Sequence, residues 1–218
     1  MTSLRATSQA AAIRRSLGHP VVDADGHFME FVPVLEDEVL AYLEEDAGAG
    51  LRDRYLASRP PLADTVVFAT DRTAPAVVDS WSAQGCWWGN PVASALDRAT
   101  AHLPQLMAAR MEELGIDYMF LYPSWTLGFN GVADDELRAP LCRAANRYFA
   151  RLFGPVRDRM EPAAAIPMQH PDEAVAAIDH AVGELGFKSL LHFLEWVTET
   201  PARFLITAVL VLLAWLFH

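Results

Sequence analysis

Asp23, Asp25 and His27 stand one residue apart in the stretch Val21–Glu30, VVDADGHFME. Two carboxylates and an imidazole are the kind of donor set that holds a divalent cation through oxygen and nitrogen. The preceding Val21 and Val22 are β-branched and favour an extended strand. On a regular strand, positions 23, 25 and 27 share one face, while Ala24 and Gly26 take the other. Gly26 leaves room for backbone or ligand to come close at the strand end. A strand running into a solvated acidic loop has the same composition, so spacing alone leaves both readings open.

Those residues need a scaffold, and the chain supplies one. Its 218 residues suffice for one domain with a real core, and 52% hydrophobic with 21% charged residues is a globular balance. Twenty-eight acids against 17 basic residues give a net charge of −11, which argues against a nucleic-acid partner. Cys86 and Cys142 are far apart and form no C-x-x-C, so free thiols in a reducing, cytoplasmic setting are expected. G-x-S-x-G, P-loop and G-x-G-x-x-G motifs are all absent from the sequence.

Apolar spacing predicts helices over Pro33–Glu45, Leu96–Leu114, Leu137–Leu152 and from Pro171 to Gly186. Four strands are expected, beginning near Val21, Ile116, Glu161 and Phe187. Arg52–Ser80 reads as an irregular excursion. Strands alternating with helices imply an α/β fold with a parallel sheet and helices outside. An eight-stranded (β/α)8 barrel typically needs ~250 residues, so about four βα units make a partial TIM barrel.

Four pieces of sequence carry a resemblance: DADGHFME at Asp23–Glu30, CWWGNP at Cys86–Pro91, ELGIDYMFLYPS at Glu113–Ser124, and ANRYFARLFGPVRDRMEPAAAIPMQHPDEA at Ala145–Ala174. Together, over Pro20–Leu191, they resemble the amidohydrolase-related metal-dependent hydrolases. That branch of the amidohydrolase superfamily also holds decarboxylases of the aminocarboxymuconate-semialdehyde type. The resemblance implies a divalent metal, Zn²⁺ first, at the C-terminal mouth of the barrel. Asp25 and His27 fall where the superfamily commonly carries His-x-His, with Asp25 replacing the first His and Glu30 as a neighbour. The family pattern also asks for a His in mid-barrel and an Asp after the last strand, and neither is matched in this chain. The implied activity is hydrolysis or decarboxylation of a small organic acid or amide. A non-catalytic barrel fragment is the alternative.

Other candidates rest on position. Trp87 and Trp88 read either as an apolar wall of a substrate pocket or as a cluster holding down the excursion. Ser124 and Trp125 end the second strand, and His170 ends the third, where it could also cap a helix. Three regions are expected: a flexible N-terminal arm over 1–19, the partial barrel over 20–192, and an apolar helical tail over 193–218. Phe204–Phe217 carries no charge and would reach about 21 Å as a helix, short of a ~30 Å bilayer core. It reads as a helix packed on the open sheet, with membrane contact as the alternative, and a second copy of the chain is a further candidate partner.

Overall fold

Among the described residues, four short strands run side by side in sequence order. The computed structural model describes residues 8–48, 50–57 and 94–191. Strand β1 (Val22–Phe28) pairs with β2 (Tyr118–Pro123), β2 with β3 (Met160–Ala165), and β3 with β4 (Ser189–Leu191). All three pairings are parallel. Parallel neighbours need crossovers, and here they are helical: α6 (Asp135–Phe153) joins β2 to β3, and α7 (Pro171–Ile178) with a π-helical turn over Asp179–Glu184 joins β3 to β4. The topology is α/β and corresponds to part of a TIM barrel, as the alternation of apolar segments predicts.

Side chains alternate along β2, so Met119 and Leu121 are buried on one face while Tyr118, Phe120 and Tyr122 line the other. Phe28, Met119, Leu121 and Met160 meet Leu35, Val39 and Leu43 of α2 (Val32–Glu45) and the apolar stripe of α6. Phe28 stands edge-on to Phe153 with centroids 5.0 Å apart. Each such side chain contributes roughly 1.5–3 kcal/mol by leaving water. Ala163, Ala164 and Ala165 of β3 are fully buried, and α6 lies close against this strand. Asn146 of α6 donates Nδ2–H to the Ala165 carbonyl at 2.9 Å, and its Oδ1 accepts from the Ala165 amide at 2.8 Å. That pair satisfies backbone groups that would otherwise be stranded in the core.

Three expectations need correcting. The segment expected to be a flexible arm contains α1 (Gln9–Ser16), because local capping and two distant anchors hold it. Ser8 Oγ accepts from the Ala11 amide and donates to the Glu113 carbonyl, and Arg14 pairs with Asp117. The irregular reading of Arg52 onward misses α3 (Leu51–Ala57), whose Tyr55 is buried. The single helix expected over Leu96–Leu114 is two, α4 (Ala95–His102) and α5 (Pro104–Leu114). Pro104 lacks an amide hydrogen and pushes Leu103 out of helical geometry, to φ −119 and ψ 102. The expected tail helix, Phe204–Phe217 included, lies outside the described residues. Among those described, no helix is long and apolar enough to cross a membrane.

Asp117 Oδ2 also accepts the Val21 amide at 2.7 Å, so one carboxylate links α1 to the start of β1. Bonding to Arg14 first, and then to the Val21 amide, holds this carboxyl below its ordinary range. A depressed folded pKa means the linkage is fully present above the unfolded carboxylate value, near 3.9, and is lost as pH falls through the folded value. Hydrogen exchange of the Ala11–Ser16 amides, corrected for intrinsic rates, should therefore rise selectively between pH 5 and pH 2.5. Equal protection at both would contradict this anchor.

Candidate metal centre

The first strand is not regular, and its irregularity decides where its donors point. Asp23 pairs with Met119, but Gly26 pairs with Leu121, so three residues of β1 span two of β2. This β-bulge reverses the alternation that would have put Asp23, Asp25 and His27 on one face. Paired residues share a face. Asp23 therefore lies on the side of Met119 and Gly26, where its Oδ1 accepts the Asp25 amide at 3.0 Å. His27 pairs with Tyr122 on the opposite face, with ring centroids 6.1 Å apart, and Asp25 is exposed to solvent. The bulge thus separates Asp23 from His27 and leaves Asp25 as the exposed carboxylate two residues before it.

Gly26 is required by space. A Cβ there would come within 2.9 Å of both Leu121 Cδ2 and the Phe120 carbonyl oxygen. The carbonyl belongs to the neighbouring strand and cannot swing away. Gly26→Ala should cost about 1–3 kcal/mol through overpacking, read as a lower urea midpoint with unchanged m-value. A neutral substitution would mean that the bulge is freer than its packing indicates.

Immediately after His27 the chain is fastened at three successive residues. Ser124 Oγ donates to the Phe28 carbonyl at 2.9 Å. The Met29 amide donates to the Ala101 carbonyl at 2.9 Å, and His102 Nδ1 lies 2.8 Å from the Met29 carbonyl. A carbonyl can only accept, so the proton sits on that ring nitrogen. Glu30, 1% exposed, takes the amides of Ser124, Trp125 and Thr126 and the Thr126 hydroxyl, all at 2.9–3.1 Å. Successive amides turned to one acceptor form a nest that suits an anion. Burial pushes the Glu30 carboxyl above its ordinary range, while the Thr126 and Trp125 amides pull it back. Burial likewise pushes the His102 imidazole down.

The model of the Amidohydrolase family matches residues 22–203. The chain belongs to the Amidohydrolase family. No curated protein matches it. Among solved structures, this amidohydrolase is similar to 5-carboxyvanillate decarboxylase LigW from Sphingomonas paucimobilis, with 21% identity and a TM-score of 0.42 over 78% of this chain and 42% of that one. It is also similar to 5-carboxyvanillate decarboxylase LigW2 from Novosphingobium aromaticivorans, solved with bound manganese and 3-methoxy-4-hydroxy-5-nitrobenzoic acid. There the identity is 18% and the TM-score 0.46, over 79% of this chain and 41% of that one. A third, 2,6-dihydroxybenzoate decarboxylase from Rhizobium, gives 17% identity and a TM-score of 0.40 over 79% and 38%. The chain thus spans about two-fifths of the length of these structures.

Within the amidohydrolase chain, the remaining candidates scatter. Ser124 and Trp125 are buried, with the Ser124 hydroxyl and both amides committed to the strand-one segment. His170 is exposed beside Asp135, 3.4 Å from its Oδ1. It occupies the position before α7 but makes no side-chain cap bond. Trp87 and Trp88 lie outside the described residues. Cys142 is a buried thiol that donates to Asn130 Oδ1 at 3.2 Å. The residues sequence reasoning missed are Thr126, His102 and the anchoring role of Glu30. Their signal is tertiary, since each pairs with a residue 73–96 positions away.

Proposed function

We propose that Asp25 and His27 supply the strand-one ligands of a divalent-metal centre in a hydrolase or decarboxylase acting on a small organic acid or amide. The observation that carries this reading is their placement near the C-terminal end of β1 in a parallel sheet, the end where barrel enzymes build their sites. Family membership sets the prior for metal-assisted chemistry. The donors fit: a carboxylate and an imidazole suit Zn²⁺ or Mn²⁺. Two protein donors are fewer than the three a catalytic zinc site uses. Among the described residues, no group of three such donors comes together. Completion therefore requires groups from outside those residues.

When bound, such an ion supplies Lewis acidity and a lowered pKa for a coordinated water. The chain's own contribution is positional. His27 turns away from the core face that Gly26 takes, and Tyr122 offers an aromatic wall beside it. Phe120 and Tyr118 continue that wall along β2, their rings 5.4 Å apart. A planar acid or amide would meet aromatic surface on this side, consistent with pockets lined mainly by apolar and aromatic groups.

His27→Ala should abolish stoichiometric binding of Zn²⁺ or Mn²⁺ by the full chain, measured by calorimetry, while far-UV circular dichroism stays unchanged. Metal content equal to that of the parent would remove His27 from the site.

A further inference from the structure

We infer that Ser124 and Thr126 are positioning residues for the metal centre: they clasp the segment Phe28–Glu30 and so fix the direction in which His27 presents its ring. The inference rests on the metal reading above and extends it to residues that touch no metal.

His27 is the penultimate residue of β1, and the ladder ends one residue later, where Phe28 pairs with Pro123. Beyond Phe28 no ladder pairing holds the backbone, and a shift there would carry the nearby His27 ring with it. The structure removes that freedom from two sides. Ser124 Oγ holds the carbonyl of the very next residue, Phe28. Thr126 Oγ1 and three consecutive amides hold the Glu30 carboxylate, three residues on. From the far side, Ala101 and His102 hold Met29 through its amide and carbonyl. All of these groups except His102 are at least nine-tenths buried or are backbone, so water does not compete for them. A core that needed only stability could fill this space with apolar side chains. Instead a buried carboxylate stands three residues after the candidate ligand, and the fold brings two buried hydroxyls from just past β2 against the same segment. Partners that orient a ligand without touching the metal characteristically alter affinity 10–100-fold when removed.

The experiment compares Zn²⁺ and Mn²⁺ affinity by calorimetry in the full chain and four variants, each folded by circular dichroism at the titration temperature. Ser124→Ala and Thr126→Val delete one hydroxyl each with little change in volume, and each should weaken binding about tenfold. Ser124→Thr keeps a hydroxyl and should retain parental affinity. Met111→Ala opens a cavity in the core at α5 and lowers global stability, and it should leave affinity within twofold. Clasp variants that bind as tightly as the parent would overturn the inference while leaving His27 a ligand. Equal weakening in Met111→Ala would also overturn it, since the effect would then follow stability alone. A parent chain that binds neither ion, or one whose binding survives His27→Ala, would remove the metal reading and this inference with it.

Discussion

Replacing Glu30 with alanine is expected to lower the unfolding free energy by about 3–4 kcal/mol. The side chain accepts three amides and a hydroxyl in a site closed to water. Alanine would leave three buried N–H groups without an acceptor, each costing roughly 1–3 kcal/mol, offset by relief from burying a carboxylate. Against a total stability of about 5–15 kcal/mol this is a large fraction. With a urea m-value near 2 kcal/mol per molar, the midpoint should fall by about 1.5–2 M. Glu30→Gln keeps one acceptor oxygen but turns an NH2 group toward the nest, so about half the loss is expected. A loss under about 1 kcal/mol for the alanine variant would show that water enters and replaces the carboxylate.

Arg138→Met should be the next most damaging change, by about 3 kcal/mol. The guanidinium is 2% exposed. It donates to Asp135 at 2.7 Å, to Glu173 at 3.0 Å and 3.2 Å, and to the Val132 carbonyl at 3.0 Å. It thereby ties the first turn of α6 to the first turn of α7. Removing it leaves Glu173, only 14% exposed, as an uncompensated carboxylate. The expected fall in Tm is about 6–12 °C for a domain of this size. Pairing the change with Glu173→Gln should recover part of it, because the stranded charge is then gone. A double variant no better than the single one would place the loss in packing.

Helix and strand order were legible because each rests on local periodicity. The apolar spacing of Val39, Leu43, Leu137, Leu141 and Tyr148 points inward in the structure as it does in the sequence. The break at Leu103–Pro104 was also written locally, in the proline, and strong apolar spacing on both sides masked it. The bulge in β1 is different in kind. Gly26 hinted at close approach, but the extra residue is defined by β2, and no local pattern shows a register shift between strands 96 positions apart. The same holds for α1, whose anchors Glu113 and Asp117 lie about 105 residues downstream. The candidate ligands Asp25 and His27 were found because donor chemistry and spacing are local. The clasp that follows them was invisible because both of its halves had to be brought together first.

That separation has a consequence for how the protein is made. Glu30 and its nest are 94–96 residues apart. Closing a loop of that length carries an entropic charge of about 4 kcal/mol before any contact forms. At ~5–20 residues per second, a nascent chain carries β1 for about 5–19 seconds before its partner strand is synthesised. Throughout that interval Val21, Val22 and Phe28 have no β2 to lie against, and Glu30 remains an ordinary hydrated carboxylate. Its charge, with those of Asp23 and Asp25, then serves as a gatekeeper against premature strand association. The group that later becomes a buried anchor adds, during translation, to the charge that opposes association of the first strand.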